Sequence, residues 1–508
     1  MNPFHRIAEE ASSVRDVGTI TSEERVGTAI DGREADLKIL VAIASWGTKN
    51  DTYLARVIEE YRSMPFAIDV LVLTNLSKPV GPGAEVFLVN LKGKNPGSLP
   101  FAHKKIFAER LKAYDLFIYS EDDNLITESN IRAYLRACAV LEENEIPGFF
   151  RFERGADGRI NYPDVHGSFH WGSQSVRRRK GQVFATFTNE HSACYMLTRD
   201  QLERAIASGG FLVEPHCGKH DLICTAATDP YMQCGFEKMI GISPLDDFLV
   251  HHLPNTYFGS EFGVDESELG SQIECLMRSL ENGNLARPFL PTESKLIARR
   301  FSKDCYERAQ RAIIDAIPPG TRTLLSVGCG TGATEATLVK QGLRMVAVPA
   351  DPVFAGGARA KGIEIVEGDV ATVQKKLHGE QFDCLLLLDV LHLVPDPSAM
   401  MSVFVPLLRV GATVIVRVPM ALRITTAYRI IRGKQHFSEL GNYEKTGVHF
   451  ISRRIVGPWF KKAGLRIERV ANEAPSDLSS GRGPFQRVLN SIRAMKTEMK
   501  MLIVGKKL

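Results

Sequence analysis

The stretch TLLSVGCGTG, residues 323–332, decides the fold of the C-terminal half of the chain. Its first part is a short apolar run, which is typical of a buried strand, and its second part is a glycine-rich turn. The segment ATEATLVKQG follows with the pattern of a helix. Between a strand and a helix, glycines let the backbone approach a ligand at the helix N-terminus. The stretch therefore predicts a strand–turn–helix unit that binds a ligand.

Segments around this unit repeat the alternation of strand and helix patterns. We expect a helix over 294–317, strands at RMVAVPA, IEIVEGD, FDCLLLLD and ATVIVRVP, and two late strands, LRIERVA and MLIVGKKL. Such alternation predicts a mostly parallel sheet with helices on both faces. The C-terminal half is thus predicted to be an α/β domain.

The N-terminal half shows the same alternation. Strand patterns occur at LKILVAIAS, IDVLVLTN, VFLVNL and DLFIYS, and helix patterns at TYLARVIEEYRSM and AHKKIFAERLKAY. From about residue 148 to 252 the pattern loosens, and RRRK at 177–180 is predicted to be a basic loop. We predict two domains in series, at 37–264 and 294–508, with a polar tail over 1–36 and a helix and linker over 265–293.

Composition limits the classes of function. A chain of 508 residues with 44% hydrophobic and 24% charged residues is not wholly disordered. A formal charge of +4 argues against a nucleic-acid partner. Nine scattered cysteines favour reduced thiols, and no apolar run reaches the ~20 residues that span a bilayer. We expect a cytoplasmic enzyme with no integral membrane segment; peripheral association with the inner membrane face and the oligomeric state stay open.

An acidic triplet follows the predicted strand DLFIYS. Glu121, Asp122 and Asp123 emerge at the carboxyl end of that strand, where open α/β sheets bind ligands. Three adjacent carboxylates repel one another unless a cation lies among them, and oxygen ligands suit Mg²⁺ or Mn²⁺. The triplet therefore predicts a divalent cation site, with a solvated acidic loop as the alternative.

The segment YSEDDNLITESNIRAYL resembles the metal-binding motif of GT-A nucleotide-sugar glycosyltransferases. This resemblance covers roughly residues 37–260 and implies a mixed α/β sheet domain. It implies Asp123 and one of His251 and His252 as the ligands of Mn²⁺ or Mg²⁺, since neighbouring residues on a strand point to opposite faces. The resemblance implies that five residues contact the nucleotide-sugar donor: Ser45, Trp46, Asn75, Glu121 and Asp122. Lys104 is a sixth predicted donor contact, because it lies at the start of a predicted helix where it could meet the diphosphate.

An inverting glycosyltransferase needs a base that takes the proton of the acceptor hydroxyl. Position along the chain favours Asp229 for this role, with Asp221 as the second candidate. Each aspartate could instead be a helix N-cap. His216, Cys217, His220 and Cys224 also lie close in sequence, but they lack the paired spacing of a structural zinc site, so an acceptor-site loop is favoured there.

Residues 294–508 resemble the class I S-adenosylmethionine-dependent methyltransferases, on VGCGTG, the GD at 368–369 and the FDCLLLLDVLHLV segment. The resemblance implies a Rossmann-like, seven-stranded sheet, with MLIVGKKL inserted antiparallel at the sheet edge. It implies that the glycine turn meets the methionine part of the cofactor, that Asp369 lies by the adenine, and that Asp389 borders the pocket. The glycines concerned are Gly328, Gly330 and Gly332.

Two positions depart from the methyltransferase pattern. Ser326 stands where an acidic residue is usual, and Pro349 stands where an acid normally binds the ribose hydroxyls. Asp351, two residues later, is the remaining candidate for the ribose. A nicotinamide dinucleotide is the rival ligand, but it needs the same ribose carboxylate.

Together these features predict a bifunctional enzyme. One domain would transfer sugar from a nucleotide-sugar donor to a glycan or lipid-linked glycan acceptor, and the other would methylate a sugar hydroxyl, as in the synthesis of bacterial surface polysaccharide. Two alternatives stay open: the second domain is a non-catalytic scaffold or regulatory module, or the whole chain senses nucleotide metabolites. As bases for methyl transfer, His392, His436 and His449 are candidates by residue type alone.

Overall fold

The computed structural model describes residues 37–260, 262–296, 301–420, 442–473 and 500–508, so the predicted tail over 1–36 lies outside it. The described residues form two compact units. The first comprises residues up to Val165 together with Phe169–Ile273, and the second comprises His166–Ser168 and Glu274–Leu508. The boundary at 273/274 lies within the helix and linker predicted over 265–293, inside the helix Glu266–Glu281.

The first unit consists of short strands that alternate with helices. Its strands are β1 (Lys38–Ser45), β2 (Ala67–Thr74), β3 (Ala84–Leu88), β4 (Leu116–Glu121), β5 (Asn124–Leu125), β6 (Glu145–Gly148), β7 (Phe150–Arg154), β8 (Ile160–Tyr162), β9 (Trp171–Arg179), β10 (Gln182–Phe187), β11 (Cys194–Thr198), β12 (Glu237–Ser243), β13 (Leu249–His252) and β14 (Val264–Asp265). Its helices are α1 (Asp51–Ser63), α2 (Ala102–Glu109), α3 (Glu128–Cys138), α4 (Arg199–Ala207), α5 (Leu222–Met232) and, across the boundary, α6 (Glu266–Glu281).

The central sheet of this unit has the strand order β11-β4-β1-β2-β3. β1 is buried almost throughout and pairs in parallel with β2 and β4, whereas β11 is antiparallel to β4. The apolar stripe of α1 joins the core of this sheet through residues that recur at helical spacing, Leu54, Val57, Ile58 and Tyr61. Since Ala44 pairs with Glu121, the turn after β1 and the acidic triplet meet at one edge of the sheet.

Two smaller sheets complete the first unit, in the orders β6-β12-β10-β9 and β14-β8-β7-β13-β5. The prediction of a basic loop at 177–180 is wrong for its first three residues, because Arg177–Arg179 pair with β10 as the end of β9. Lys180 and Gly181, both with positive φ, form the hairpin turn. In the second of these sheets, β13 pairs with β5 and β7, which places His252 opposite Asn124.

The second unit is also built from alternating strands and helices. Its strands are β15 (Thr323–Cys329), β16 (Arg344–Pro349), β17 (Glu364–Ile365), β18 (Phe382–Leu388), β19 (Leu408–Pro419), β20 (Leu465–Glu473) and β21 (Lys500–Lys507). Its helices are α7 (Arg311–Ala316), α8 (Ala333–Lys340), α9 (Ala355–Ala360), α10 (Val370–Lys376), α11 (Pro397–Phe404), α12 (Tyr443–Thr446) and α13 (Arg453–Lys462).

The sheet of the second unit has seven strands in the order β17-β16-β15-β18-β19-β21-β20. Alternate leucines of β18 point to its two faces: Leu385 and Leu387 join one apolar cluster, and Leu386 and Leu388 join the other. Helices therefore cover both faces, as the alternation predicts. The final strand is antiparallel as expected, but it lies between β19 and β20 and not at the edge of the sheet.

The helix predicted over 294–317 is mostly absent from the described residues of that range, where only α7 forms. Residues 297–300 lie outside the described chain. The backbone before α7 bonds to other segments: Lys303 N donates to Thr292 O, and Cys305 O accepts from Thr331 N. Tertiary hydrogen bonds replace the helical ones over this segment.

None of the helices in the described part of the chain has both the length and the apolar character needed to cross a bilayer.

Candidate functional sites

The first candidate site lies where β1 and β4 end. Ser45, fully buried, donates to Asp122 Oδ2 at 2.5 Å. Asn50 donates from Nδ2 to Asp122 Oδ1 at 2.8 Å and to Asp123 Oδ2 at 3.2 Å. Both carboxylate oxygens of Asp122 thus accept hydrogen bonds from the turn after β1. Asp122 fixes that turn, and its expected contact with a donor stays a prediction.

The turn after β1 is further braced by Lys78 and Asn75. Lys78 Nζ donates to Ser45 Oγ, Gly47 O and Asp51 Oδ1, all at 2.7 to 2.8 Å. Asn75 Oδ1 accepts from Gly47 N at 2.8 Å. These contacts hold Trp46 at the tip of the turn with 51% of its surface exposed. Asn75 therefore supports the turn, while Trp46 offers an accessible aromatic face.

The two adjacent histidines on β13 have different surroundings. His252 Nε2 lies 3.6 Å from Asp123 Oδ2, and its Nδ1 lies 2.6 Å from Glu153 Oε1. His251 stacks on Phe152 with ring centroids 4.7 Å apart. The structure therefore brings His252, and not His251, beside the acidic triplet.

The electrostatics of this corner are unfavourable for three carboxylates. Burial and the neighbouring Asp123 raise the pKa of Glu121 to about 8. Burial works against a charged ring at His252, but its hydrogen bonds with Asp123 and Glu153 raise the pKa of His252 to about 9. Glu121 Oε1 and Asp123 Oδ1 are buried and have no hydrogen-bond partner among the described residues. Such orphaned carboxylate oxygens need a donor or a cation.

Two cations near the triplet, Arg151 and Lys78, have carboxylate partners outside it. Arg151, whose charge lowers the pKa of Glu121, binds the Asp164 carboxylate through two nitrogens at 2.9 and 2.7 Å. Lys78, whose charge lowers the pKa of Asp122, is paired with Asp51 at 2.7 Å. Their charge is therefore shared with carboxylates outside the triplet.

A cavity of about 320 Å³ opens beside these residues. Its lining includes Trp46, Asn50, Glu121, Asp122, Asp123 and Ile223. No group of three or more His, Cys, Asp and Glu side chains in the described ranges is arranged to hold a metal ion. Mg²⁺ is commonly bound through one or two carboxylates, with phosphate and water oxygens completing the shell. Asp123 and His252, with an unpartnered oxygen on Asp123, fit that kind of site.

The predicted base and the predicted diphosphate contact form one buried ion pair. Lys104 Nζ bonds Asp229 Oδ2, and neither side chain is more than slightly exposed. Burial raises the pKa of Asp229 and lowers the pKa of Lys104. Neither residue lines the cavity beside the triplet. Asp221 is the N-cap of α5, accepting from Cys224 N at 2.9 Å.

Each of the two histidines of the predicted acceptor loop lies near a carboxylate. His220 Nε2 lies 2.9 Å from Glu190 Oε2, and Lys219 reaches the other oxygen of Glu190 at 2.8 Å. His216 Nε2 lies 3.4 Å from Asp229 Oδ1. These contacts give no zinc site among the residues described.

The second candidate site is the glycine turn after β15. Gly328 and Gly332 have φ of 83° and 74°, and Gly332 is the N-cap of α8. A Cβ on Gly330 would lie 2.1 Å from the carbonyl oxygen of Cys305, which also accepts from Thr331 N at 2.8 Å. Two glycines of the turn thus have the left-handed φ that favours glycine, and the middle glycine lets the segment around Cys305 pack closely.

Side chains at and near the two positions that depart from the expected pattern, Ser326 and Pro349, form hydrogen bonds within the chain. Ser326 donates to Glu335 Oε1 at 2.7 Å, so a buried carboxylate lies behind the turn although β15 carries none. Asp351 is buried and accepts from Val353 N at 2.9 Å. Asp369 is exposed and caps α10 through Thr372 N at 2.8 Å. Of the two aspartates, only Asp369 is exposed enough to meet a cofactor without rearrangement.

Asp389 lies in a buried charge cluster at the carboxyl end of β18. It has φ of 57°, an uncommon conformation for a non-glycine residue. Arg417 Nη2 lies 2.5 Å and Lys500 Nζ 2.8 Å from Asp389 Oδ2, and Arg417 also bonds Glu307. Burial opposes its charge, but Arg417 and Lys500 hold the pKa of Asp389 well below its usual range. The carboxylate therefore stays ionised without an external cation.

Of the candidate histidines, His392 follows Asp389 by three residues, and His449 N donates to His392 O at 2.8 Å. His392 is buried, with Nε2 2.7 Å from the carbonyl oxygen of Phe301. A carbonyl only accepts, so Nε2 carries the proton and Nδ1 is the basic nitrogen. His449 Nε2 faces the carbonyls of Val394 and Pro395 at 3.0 and 3.1 Å. His436 lies outside the described residues.

Comparison with known proteins finds similarity to methyltransferases in the C-terminal part of the chain. A family model described as a methyltransferase domain matches residues 298–470. A ubiquinone biosynthesis O-methyltransferase of Xanthomonas axonopodis pv. citri is 29% identical over 170 residues, 30% of this chain and 66% of the relative. Its counterpart in Xylella fastidiosa (strain 9a5c) is 27% identical over 165 residues, 30% and 65%. The chain spans just under two thirds of the length of these relatives, and the similarity identifies a methyltransferase domain over residues 298–470.

Solved structures with similarity to the chain include two methyltransferases. Magnesium protoporphyrin IX methyltransferase of Synechocystis PCC 6803 with bound SAH is 17% identical at a TM-score of 0.28, over 39% of this chain and 78% of that chain. A SAM-dependent methyltransferase of Methanosarcina mazei is 14% identical at a TM-score of 0.29, over 40% and 99%.

Several residues of both sites carry no signal in the sequence. Asn50, Glu153, Arg417 and Lys500 belong to no short motif, and their partners lie far away in the chain. The alternation of FRFER, with Glu153 one residue before a terminal arginine, resembles an ordinary half-buried strand. Their roles follow from pairing of distant strands, which short motifs do not encode.

Replacing Arg417 by methionine should destabilise the second unit by up to about 3–5 kcal/mol, because it removes the arginine between Asp389 and Glu307 and leaves only Lys500 beside the two carboxylates. Arg409→Met is the matched control on the same strand: Arg409 is half exposed, pairs with Asp383, and should cost at most about 1 kcal/mol. Urea unfolding followed by circular dichroism measures both. Equal losses would contradict the assigned role of the buried cluster.

Proposed function

We propose that this chain is a two-activity transferase, whose C-terminal unit transfers a methyl group from S-adenosylmethionine to an acceptor hydroxyl. The match of residues 298–470 to a methyltransferase domain carries this proposal. The strand order with an antiparallel β21, the two left-handed glycines and the exposed Asp369 support it. The relatives are named as O-methyltransferases, which supports oxygen as the methylated atom.

The residues that would hold the cofactor are the glycine turn and Asp369. Gly328 and Gly332 let the turn approach the methionine part, and Asp369 can accept a hydrogen bond from the adenine amino group. Bound S-adenosylmethionine supplies a methyl group on a positively charged sulfur. The Pro349 position lacks a ribose carboxylate, and Asp351 already caps the turn that follows it. We expect this loss to weaken cofactor affinity by about one to two decades relative to a site with that carboxylate.

A base for the acceptor hydroxyl is best supplied by His392. Burial lowers the pKa of His392 to about 4, so the ring is neutral near pH 7. Its Nδ1 is buried and has no hydrogen-bond partner in the described chain. A neutral imidazole nitrogen without a partner can accept the hydroxyl proton as the oxygen attacks the methyl group, but the lowered pKa makes His392 a weaker base than an ordinary histidine.

The second proposed activity is sugar transfer by the N-terminal unit from a nucleotide-sugar donor, with Mn²⁺ or Mg²⁺ bound by Asp123 and His252. The orphaned oxygens of Glu121 and Asp123 beside an open cavity carry this proposal. Trp46 offers a face on which a nucleobase can stack. The cation would neutralise the charge that develops on the leaving diphosphate. Asp229 and Asp221 stay predictions for the base, since one is paired with Lys104 and the other caps α5.

A single substrate class would connect the two activities. A sugar hydroxyl on a glycan or lipid-linked glycan can accept a methyl group, as in bacterial surface polysaccharide. The alternative is that the methyltransferase domain is a scaffold or regulatory module, which the missing ribose carboxylate at Pro349 favours.

Titration calorimetry with S-adenosylmethionine tests the first activity. The wild-type chain should bind with a Kd on the order of micromolar, and Asp369→Asn should weaken binding about tenfold because one charged hydrogen bond is lost. Asp396→Asn is the matched control, since Asp396 also caps a helix and is exposed, and asparagine preserves both caps. Wild-type protein that does not bind at millimolar cofactor would instead support the scaffold.

Donor hydrolysis with a panel of UDP- and GDP-sugars tests the second activity. Wild-type protein should release nucleoside diphosphate in the presence of Mn²⁺, and Asp123→Ala should reduce the rate at least ~100-fold, because the cation loses its carboxylate ligand. Binding of S-adenosylmethionine should be unchanged in this variant. Asp157→Ala, which removes an exposed aspartate paired with Arg159, is the control. Hydrolysis by Asp123→Ala at the wild-type rate would disprove the metal assignment.

A further inference from the structure

A buried glutamate lies behind the histidine of the first candidate site. Glu153 is fully buried in β7, and its Oε1 accepts from His252 Nδ1 at 2.6 Å and from Tyr257 N at 3.1 Å. The pairing of β13 with β7, which runs from Leu249 opposite Phe150 to His251 opposite Phe152, brings His252 next to Glu153. The contact is thus set by strand register and not by a mobile surface side chain.

This contact determines which nitrogen of His252 faces the acidic triplet. A carboxylate accepts hydrogen bonds, so Nδ1 carries a proton, and Nε2 is the nitrogen directed at Asp123 Oδ2, 3.6 Å away. Tyr257 stacks on the ring at a centroid distance of 5.6 Å and restricts its rotation. The ring is therefore fixed in position and direction, with Nδ1 protonated whether the ring is neutral or charged.

Asp123, which faces His252 across the gap between the two side chains, is held just as firmly. Asp123 O accepts from Leu253 N at 2.9 Å, which ties the end of β4 to the residue after His252. Asn50 donates to Asp123 Oδ2, while Asp123 Oδ1 is buried without a partner among the described residues. An imidazole nitrogen and a carboxylate with an unused oxygen thus face each other from anchored backbones.

We propose that Glu153 is a positioning residue that presents His252 Nε2, together with Asp123, to a divalent cation. The inference rests on the proposed metal-dependent sugar transfer and adds to it a residue outside the acidic triplet. A histidine that binds a metal commonly donates its other ring nitrogen to a carboxylate, which fixes the ring and strengthens it as a ligand. In a purely structural role, Glu153 would only satisfy His252 and Tyr257 N, and its charge would not affect metal affinity.

The test is binding of Mn²⁺ alone to the full chain, measured by the loss of the free-ion EPR signal. Glu153→Gln should weaken Mn²⁺ affinity about tenfold or more, because the amide keeps an acceptor for Nδ1 but loses the negative charge. Glu145→Gln is the matched control: Glu145 is a buried strand glutamate paired with Arg177, away from the triplet, and its variant should bind as wild type does. Thermal unfolding of each variant establishes that it is folded.

The outcomes separate this inference from the proposed function. If wild-type protein binds no Mn²⁺ at millimolar concentration, both are wrong. If wild type binds and Glu153→Gln binds equally well, the positioning role alone is overturned. Electron spin-echo modulation of Mn²⁺ bound to the wild type should show coupling to an imidazole nitrogen that His252→Gln loses. Absence of that coupling in the wild type would overturn the inference even if Glu153→Gln fails to fold.

Discussion

A carboxylate at the carboxyl end of a buried parallel strand needs compensating charge, and both units of this chain depend on how they supply it. In the second unit the chain provides the charge itself. Asp389 lies 2.5 Å from Arg417 and 2.8 Å from Lys500, so it stays ionised in the interior. In the first unit, Ser45 and Asn50 give Asp122 only neutral hydrogen bonds, and the Asp123 carboxylate lies farther, 3.6 Å, from the His252 ring.

This difference separates a closed charge cluster from an open one. The Asp389 cluster stabilises the end of β18 through contacts within the chain, and the methyl transfer proposed for this unit is placed at the glycine turn. The Asp123 corner is held by Asn50, by Leu253 and, across the gap, by His252 with Glu153 behind it. Fixing two potential ligands this firmly without filling the space between them is what a preorganised cation site requires. Methyl transfer and sugar transfer can therefore be proposed from independent observations on separate units.

Much of this arrangement could be predicted from local sequence. The strand DLFIYS, the triplet after it and the turn VGCGTG are short patterns whose place at a sheet edge follows from alternation of strands and helices. Contacts between distant residues could not be predicted: Glu153 and His252 are 99 residues apart, and Lys104 and Asp229 are 125 apart. The same limit explains the helix wrongly predicted over 294–317, where tertiary hydrogen bonds around Cys305 replaced helical ones. It also explains why the last strand was expected at an edge, since only its pairing with β20 shows otherwise.

The central claim is that the gap between Asp123 and His252 holds a divalent cation. It is tested most directly by anomalous diffraction at the manganese absorption edge, on crystals of the full chain soaked with Mn²⁺ and UDP or GDP. The account predicts an anomalous peak within about 2–2.5 Å of both a carboxylate oxygen of Asp123 and His252 Nε2. A map with no peak there, with His252 still directed at Asp123 and the nucleotide bound elsewhere or not at all, would contradict it.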